Sequence, residues 1–168
     1  MSSKVVLIDA RMKSPLVVSK DKLDGDVVYP FESEFRMELN TNKGIYLWTV
    51  KPGYISNCGS IPWVGQKVLR LKSFDPENMY QNAFFFLHDD LYQKKGYGIF
   101  DRDDCDALCR GGLREAGCSR FQASTIDFFL KLGAWGHWGD NSYGNFDFLS
   151  KLEQGFCQDS SLHQGTDG

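Results

Sequence analysis

The sequence predicts an α+β fold, in which a small N-terminal antiparallel β-sheet is followed by a helical half with two antiparallel helices. Residues 4–55 contain five short runs rich in β-branched and aromatic residues, and turn signals separate these runs. After residue 75, apolar residues recur at spacings of three and four, which is typical of amphipathic helices. Strands that precede helices along the chain indicate an α+β arrangement.

The predicted strands lie in the first third of the chain, and they are "KVVLID", "PLVVS", "DVVYPF", "FRMEL" and "GIYLWTV". "FRMEL" alternates apolar and polar residues, as a strand with one buried face does. The turn signals are "LDGD" and "NTNKG". The stretch "KPGYISNCGSIPW" then places proline and glycine at short intervals, and it is therefore predicted to be a structured loop rather than a strand or helix.

Three helices are predicted in the second half. The first begins at Asp75-Pro76, a good N-cap followed by proline at the first helical position, and ends at Gly96. The second begins with "DRDD" (101–104), because carboxylates are favourable at a helix N-terminus, and it stops by Gly117. The third opens with "SRFQ" (119–122), a capping box.

Composition limits the classes of function. Residues 1–156 of the 168 are predicted to form a single domain, and residues 157–168 a polar tail. A net charge of −3 without a basic stripe argues against nucleic-acid binding. The chain has no apolar run of the roughly 18 residues that a membrane span requires. Its start, "MSSKVVLIDARMK", has too short an apolar core for a secretory signal, so we expect the protein to stay inside the cell unless a virion or lysis releases it.

The five cysteines are Cys58, Cys105, Cys109, Cys118 and Cys157. An odd number without CxxC spacing argues against a complete disulfide framework and against a typical zinc site. We therefore predict buried, reduced thiols that pack as small hydrophobic side chains.

Residues 84–96, "FFFLHDDLYQKKG", place one histidine and two carboxylates directly after three phenylalanines. On a helix, Tyr92 lies one turn beyond His88 and shares its face. Asp106 belongs to the next predicted helix, which the turn at Gly96 can return antiparallel to the first. A hydrogen bond from Asp106 would then fix the tautomer of His88 and stabilise its imidazolium. Since no serine or cysteine is obviously placed as a nucleophile, a water molecule is the simplest group for His88 to activate.

Asp89 projects toward a different edge of the same helix, and "NCGS" (57–60) is the natural partner for it. Gly59 permits backbone angles that turn consecutive carbonyl groups toward one point. Carbonyl oxygens and one carboxylate are hard ligands of the kind that calcium prefers. The sequence therefore predicts a calcium site next to a general base.

These motifs carry two resemblances. "NCGSIP", "HDDLY" and "DRDDCDAL", over residues 57 to about 110, are distantly similar to the secreted phospholipase A2 superfamily, particularly its bacterial and fungal branch. Nearly the whole chain resembles an uncharacterised phage and prophage family, whose members usually carry Thr-Asp-x-Ala-Ser-x-Pro followed by His-Asp-x-Leu-Tyr. The second resemblance implies a role in the cytoplasm of an infected or lysogenic host, or in the virion, with other phage or virion proteins as partners.

The phospholipase resemblance implies a role for each matching residue. His88 matches the catalytic base, Asp106 the aspartate behind it, and Tyr92 the tyrosine that braces this aspartate. Asp89 matches the carboxylate ligand of calcium, and Cys58 would offer it a backbone carbonyl. Asn57 departs from the pattern, because the bacterial enzymes hold an aspartate ligand there. The loss of one negative charge is expected to weaken calcium binding.

Three functions remain open. The first is a calcium-dependent ester hydrolase that acts on phospholipid or another small ester. The second is a non-catalytic phage virion or accessory module, in which His88 is a core histidine satisfied by Asp106. The third is a hydrolase of another ester or amide. Most of the phenylalanine run is expected in the core. The other acidic side chains of this region are expected to face solvent or cap helices, and they are Asp90, Asp101, Asp103 and Asp104.

Overall fold

The computed structural model describes residues 3–58, 61, 63–68, 70–71, 74–133 and 146–152. These residues form an antiparallel β half followed by a helical half, so the predicted α+β class is confirmed. The elements in chain order are β1 Leu7–Met12, β2 Asp21–Leu23, β3 Asp26–Pro30, β4 Phe35–Thr41, β5 Gly44–Val50, β6 Ile55–Ser56, α1 Trp63–Val68, α2 Met79–Gln93, α3 Arg102–Glu115, α4 Arg120–Gly133 and β7 Phe146–Leu152. The predicted tail, 157–168, lies outside the described residues.

The larger sheet has four antiparallel strands in the order β1-β4-β5-β7. Every second side chain of β4, starting at Phe35, is buried, as the alternation in "FRMEL" predicts. β7 was not predicted. It pairs with β5, from Val50↔Phe146 to Ile45↔Leu152, and so brings a segment near the C-terminus back into the N-terminal sheet.

The smaller sheet has the order β2-β3-β6. β2 and β3 are joined by a tight turn at Asp24 and Gly25, whose φ angles are 51° and 90°. Positive φ at both central positions matches the right-handed twist of the flanking strands and explains the "LDGD" signal. The strand predicted at "PLVVS" is wrong, because this segment makes only an isolated bridge between Val18 and Phe31.

The loop predicted over "KPGYISNCGSIPW" is wrong at two places. Ile55–Ser56 pairs with Tyr29–Pro30 as β6, and Trp63 begins the short helix α1. β6 has only two residues, which is too short for an alternation of apolar and polar residues to be recognised in the sequence. Between these two elements, Cys58 adopts a left-handed backbone conformation with φ of 59°.

The helices follow the predicted order with one shifted start. α2 begins after Asn78, whose side chain accepts a hydrogen bond from the backbone N–H of Gln81 at 3.0 Å. Asp75 instead caps the preceding turn by accepting from Glu77 N at 3.1 Å. Asp101 caps α3, as the acidic run predicts.

The capping box at the start of α4 is confirmed in both directions. Ser119 N donates to the Gln122 side chain at 2.9 Å, and Gln122 N donates to Ser119 Oγ at 3.1 Å. Each bond satisfies a backbone N–H that has no partner within the helix.

α2 and α3 pack antiparallel, and Gly112 permits their close approach. A Cβ atom at Gly112 would lie 1.9 Å from Cδ1 of Phe84. The connection between the helices, Lys95–Gly98, has positive φ at all four residues, 51° to 69°. It is therefore a left-handed turn, which is costly at the two non-glycine positions, Lys95 and Tyr97.

The hydrophobic core lies between the larger sheet and the helices. Trp48 and Phe35 contribute to it from the sheet, and the buried run Phe84–Leu87 contributes from α2. This confirms the expectation that the phenylalanine run lies in the core. Among the described helices, none has the length and apolar character needed to cross a bilayer.

Candidate functional site

His88 and Asp106 form a buried pair at the interface of α2 and α3. Nε2 of His88 lies 2.9 Å from Oδ1 of Asp106, and the two residues are 3% and 2% exposed. The left-handed turn between α2 and α3 makes α3 antiparallel to α2, so residues 18 positions apart in the sequence meet. The hydrogen bond expected from the sequence is therefore present.

Tyr92 braces the same carboxylate. Its hydroxyl donates to Oδ1 of Asp106 at 2.5 Å, and its ring lies 4.2 Å from the His88 ring between centroids. On the outer side, Nζ of Lys131 from α4 lies 3.8 Å from Oδ2 of Asp106. Asp106 is thus in contact with α2 at one oxygen and with α4 at the other.

These contacts determine the charge of Asp106. Burial by itself disfavours the carboxylate, but the hydrogen bonds from His88 and Tyr92, together with Lys131, outweigh burial and lower the pKa of Asp106. Burial and the neighbouring Asp106 raise the pKa of Tyr92, so its hydroxyl stays protonated and remains a donor. An ionised carboxylate can only accept hydrogen bonds, so Nε2 of His88 carries the hydrogen of the shared bond.

The loop after β6 meets Asp89 through Ser56. Ser56 Oγ donates to Oδ2 of Asp89, and it accepts a hydrogen bond from the backbone N–H of Cys58 at 3.0 Å. The hydroxyl therefore connects the carboxylate on α2 to the left-handed residue of the loop. The structure brings Cys58 near Asp89, as the sequence suggests, and Asn57 is exposed beside them.

The donor set near Asp89 fits a hard cation in its chemistry. Asp89 has a half-buried carboxylate, Cys58 has a left-handed backbone conformation, and Asn57 has an exposed side-chain amide, so the residue types offer oxygen ligands of the kind that calcium prefers. Within the described part of the chain, no three His, Cys, Asp or Glu side chains gather into a metal-binding group. A site built mainly from carbonyl oxygens does not require such a group. Gly59 and Ser60, which complete the motif, lie outside the described residues.

Asp90 is the main correction to the sequence analysis. Rather than facing solvent, it is fully buried, with Trp48 Nε1 donating to Oδ2 at 2.5 Å and the Tyr97 hydroxyl 2.9 Å from each oxygen. Burial raises the pKa of Asp90 well above its ordinary value, although the Trp48 hydrogen bond opposes this. Asp90 joins α2 to the sheet and holds the left-handed turn against the helix.

Asp104 is a second correction. It is buried, and it accepts hydrogen bonds from Val5 N at 2.8 Å and Lys43 Nζ at 2.7 Å, so it joins α3 to the N-terminal segment and to the β4–β5 turn. The two other acidic residues behave as expected, because Asp101 caps α3 and Asp103 is exposed.

The described cysteines, Cys58, Cys105, Cys109 and Cys118, are free thiols. The prediction of buried, reduced cysteines is confirmed for the first three, and Cys118 is half-buried. Burial raises the pKa of each buried thiol, and nearby carboxylates, Asp89 in the case of Cys58, raise it further. Because the thiolate is the nucleophilic form, these cysteines are poor nucleophiles.

Sequence reasoning missed three residues that organise the site, which are Ser56, Trp48 and Lys131. Ser56 immediately precedes "NCGS" (57–60), and its hydroxyl group, which can donate a hydrogen bond to a carboxylate, was the feature of the sequence that could have identified it. Lys131 shows only an i, i+4 relation to Asp127, with Nζ to Oδ2 at 3.1 Å, and this spacing is common on solvated helix faces. Trp48 looks like an ordinary strand aromatic until its partner Asp90 is known.

No model of a protein family matches the chain, and no curated protein or solved structure does.

Proposed function

We propose that this protein is an ester hydrolase of the phospholipase A2 type, in which His88 activates a water molecule. The observation that carries the proposal is the buried array of His88, Asp106 and Tyr92, in which Oδ1 of Asp106 accepts hydrogen bonds from the His88 ring and from the Tyr92 hydroxyl. The array supports the role that the sequence motif suggests for each of these residues.

The hydrogen bond of His88 supports a general-base role because it fixes the tautomer. When Nε2 donates to ionised Asp106, neutral His88 has a bare lone pair on Nδ1, and this atom can accept a proton from water. Among the described residues, no hydrogen bond to Nδ1 is found. As the proton arrives, Asp106 stabilises the imidazolium, and the Tyr92 hydroxyl and Lys131 keep this carboxylate ionised and in place.

The described cysteine and serine side chains favour water as the nucleophile. A cysteine hydrolase needs a thiolate, and burial disfavours that form at Cys58, Cys105 and Cys109. Ser56 is the described hydroxyl nearest the loop, but its proton is directed to Asp89 rather than to His88. Direct hydrolysis by activated water needs neither group.

Calcium is the proposed cofactor, with Asp89, the carbonyl of Cys58 and the side chain of Asn57 as its ligands. When bound, it would supply positive charge for the oxyanion that develops during ester cleavage. Ser56 orients Asp89 toward the loop. The neutral Asn57 leaves Asp89 as the one carboxylate among these three ligands, so the proposed site binds calcium weakly, on the order of millimolar.

For the substrate we propose a phospholipid. We place the protein in the cytoplasm of a phage-infected or lysogenic host, or in a virion, where phage proteins are its partners. The placement and the partners rest on the resemblance to the phage family.

One observation favours a second candidate function, a non-catalytic phage module. His88 is almost completely buried and already has a carboxylate partner, which is also the environment of a structural core histidine. In that case the His88–Asp106 pair joins two helices and no substrate is turned over.

The distinguishing experiment is an assay of the full chain against a substrate panel, with calcium and with a chelator. Mixed micelles of phosphatidylcholine, short-chain p-nitrophenyl esters and a matched anilide test lipid esters, simple esters and amides separately. Calcium-dependent release of fatty acid from the micelles supports the proposal. Hydrolysis of only the simple ester or the anilide supports the third possibility, a hydrolase of another bond. Absence of turnover on every substrate supports the non-catalytic module.

A further inference from the structure

A groove away from His88 lies between the N-terminal segment and helices α3 and α4. It encloses about 360 Å³, and Val5, Leu7, Ala107 and Ala123 contribute apolar surface. This volume is at the lower end of the range for small-ligand sites. Strand β1 and helices α3 and α4 all contribute residues to the groove.

Three arginines border this groove: Arg110 and Arg114 from α3, and Arg120 from the start of α4. Arg110 Nη1 lies 3.1 Å from Oδ2 of Asp127, a carboxylate that Lys131 shares at 3.1 Å. Arg114 Nη1 donates to the backbone carbonyl of Cys118 at 3.0 Å, which leaves its charge without a carboxylate. Within the described part of the chain, neither Arg114 nor Arg120 takes part in an ion pair.

The charge balance indicates the ligand. Three arginines border the groove, and Asp127 pairs with Arg110 and with Lys131, so Arg114 and Arg120 have no carboxylate partner among the described residues. A phosphate monoester carries about −1.5 to −2 at neutral pH and offers three acceptor oxygens. The planar guanidinium group donates paired hydrogen bonds to such oxygens. The apolar surface beside the arginines suits the organic part of an ester better than it suits a bare ion.

We propose that this groove is a binding site for a phosphate monoester with a short apolar group. Arg114 and Arg120 bind the phosphate, Arg110 lies at the edge where Asp127 restrains it, and the apolar residues contact the organic group. The site is separate from the proposed hydrolytic centre, and binding here does not depend on hydrolysis. The same phosphate chemistry occurs on soluble esters and on the headgroup of phosphatidic acid.

The test is calorimetric titration of the full chain with inorganic phosphate and with phenyl phosphate. Phenyl phosphate is expected to bind more tightly than inorganic phosphate. Arg120→Gln and Arg114→Gln are each expected to weaken phenyl phosphate binding about tenfold, the usual effect of losing a charged hydrogen bond. The matched control is Arg36→Gln, because Arg36 is an exposed arginine on β4 that pairs with Glu34 away from the groove.

Arg120→Gln changes an exposed side chain, and circular dichroism will verify that both variants are folded. Flotation with vesicles of phosphatidylcholine, with and without phosphatidic acid, then separates the two sources of the phosphate. Arginine-dependent flotation only with phosphatidic acid identifies the headgroup as the ligand, whereas phenyl phosphate binding without flotation identifies a soluble ester. If neither probe binds, or if Arg36→Gln weakens binding as much as the groove variants do, the proposal is wrong.

Discussion

Nε2 of His88 lies 2.9 Å from Oδ1 of Asp106, although the two residues are on different helices and 18 positions apart. The pair is buried, and Tyr92 donates to the same carboxylate oxygen. This relationship depends on the close packing of α2 and α3.

The helix contact at Gly112 should tolerate no side chain. In Gly112→Ala, the new Cβ would overlap the Phe84 ring, so the helices must separate or the ring must move. We expect a loss of about 1–3 kcal/mol in the free energy of unfolding, measured by urea denaturation. Gly111→Ala is the matched control on the same helix, because its Cβ would lie 3.1 Å from Leu7 Cβ, a contact that a small shift of Leu7 relieves, so we expect a smaller loss of stability than for Gly112→Ala. Equal stability of Gly112→Ala and the parent would contradict the packing.

Tyr92→Phe removes the hydroxyl that donates to Asp106. We expect a loss of about 1–2 kcal/mol in unfolding free energy and a severalfold lower rate of ester hydrolysis, because Asp106 loses a hydrogen bond that stabilises its charge. Tyr80→Phe is the control, since Tyr80 donates to the Ala10 carbonyl at 2.8 Å from the same helix. This control should lower stability without lowering the hydrolysis rate per folded molecule. Equal rate losses in both variants would show that Tyr92 acts only through stability.

Asp90 should make stability fall as pH rises. Its pKa is raised in the folded protein, mainly by burial, whereas the ordinary value is 3.8. Above about pH 4 the unfolded chain has released this proton and the folded protein retains it, so unfolding is favoured by about 1.4 kcal/mol per pH unit until the folded pKa is reached. Asp90→Asn cannot ionise. Its stability relative to the parent should therefore improve as pH rises from 4, as measured by urea denaturation across pH.

Asp104→Asn serves as the control of opposite sign. Burial opposes the charged form of Asp104, but Lys43 and the backbone N–H of Val5 outweigh it and lower the pKa. Its stabilising effect is present above about pH 4 and is lost as pH falls through the lower folded pKa. Asp104→Asn should thus be less stable than the parent at neutral pH, and the difference should shrink in acid. The same pH trend in both variants would contradict the assignments.

The proposed calcium site can be tested at Asn57. Asn57→Asp keeps the size of the side chain and adds a second charge, so calcium affinity should increase measurably in a calorimetric titration. Asp89→Asn should remove binding. Asp103→Asn, which changes an exposed carboxylate on α3, should leave calcium affinity unchanged. If Asn57→Asp has no effect, or if no variant binds calcium, the loop is a structural turn.

Much of the fold follows from local signals in the sequence. The alternation in "FRMEL", the "LDGD" turn and the capping box at Ser119 are each set by neighbouring residues, and each is confirmed. β6 was missed because two residues are too few to show a period. The strand predicted at "PLVVS" formed only an isolated bridge, since β-propensity does not specify a pairing partner.

Part of the candidate site was also predictable. The spacing of His88 and Tyr92 on one helix face, with Asp106 on the returning helix, anticipated the observed contacts. Asp90 was misjudged because a charged residue next to an apolar run usually faces water. Asp90 lies seven residues after Ala83 and four after Phe86, so it shares their buried helix face. The hydrogen bonds from Trp48 and Tyr97 offset the free-energy cost of burying its carboxyl group. Those donors come from distant parts of the chain, so local patterns do not identify them.

The most direct test of the proposed function is the rate of calcium-dependent phospholipid hydrolysis by the parent and by His88→Gln. Glutamine can donate a hydrogen bond to Asp106 but cannot take a proton from water at neutral pH. We expect measurable hydrolysis by the parent and a rate about 10²–10⁴-fold lower for a folded His88→Gln protein. Hydrolysis by His88→Gln at the rate of the parent, or no hydrolysis by the parent in saturating calcium, would contradict it.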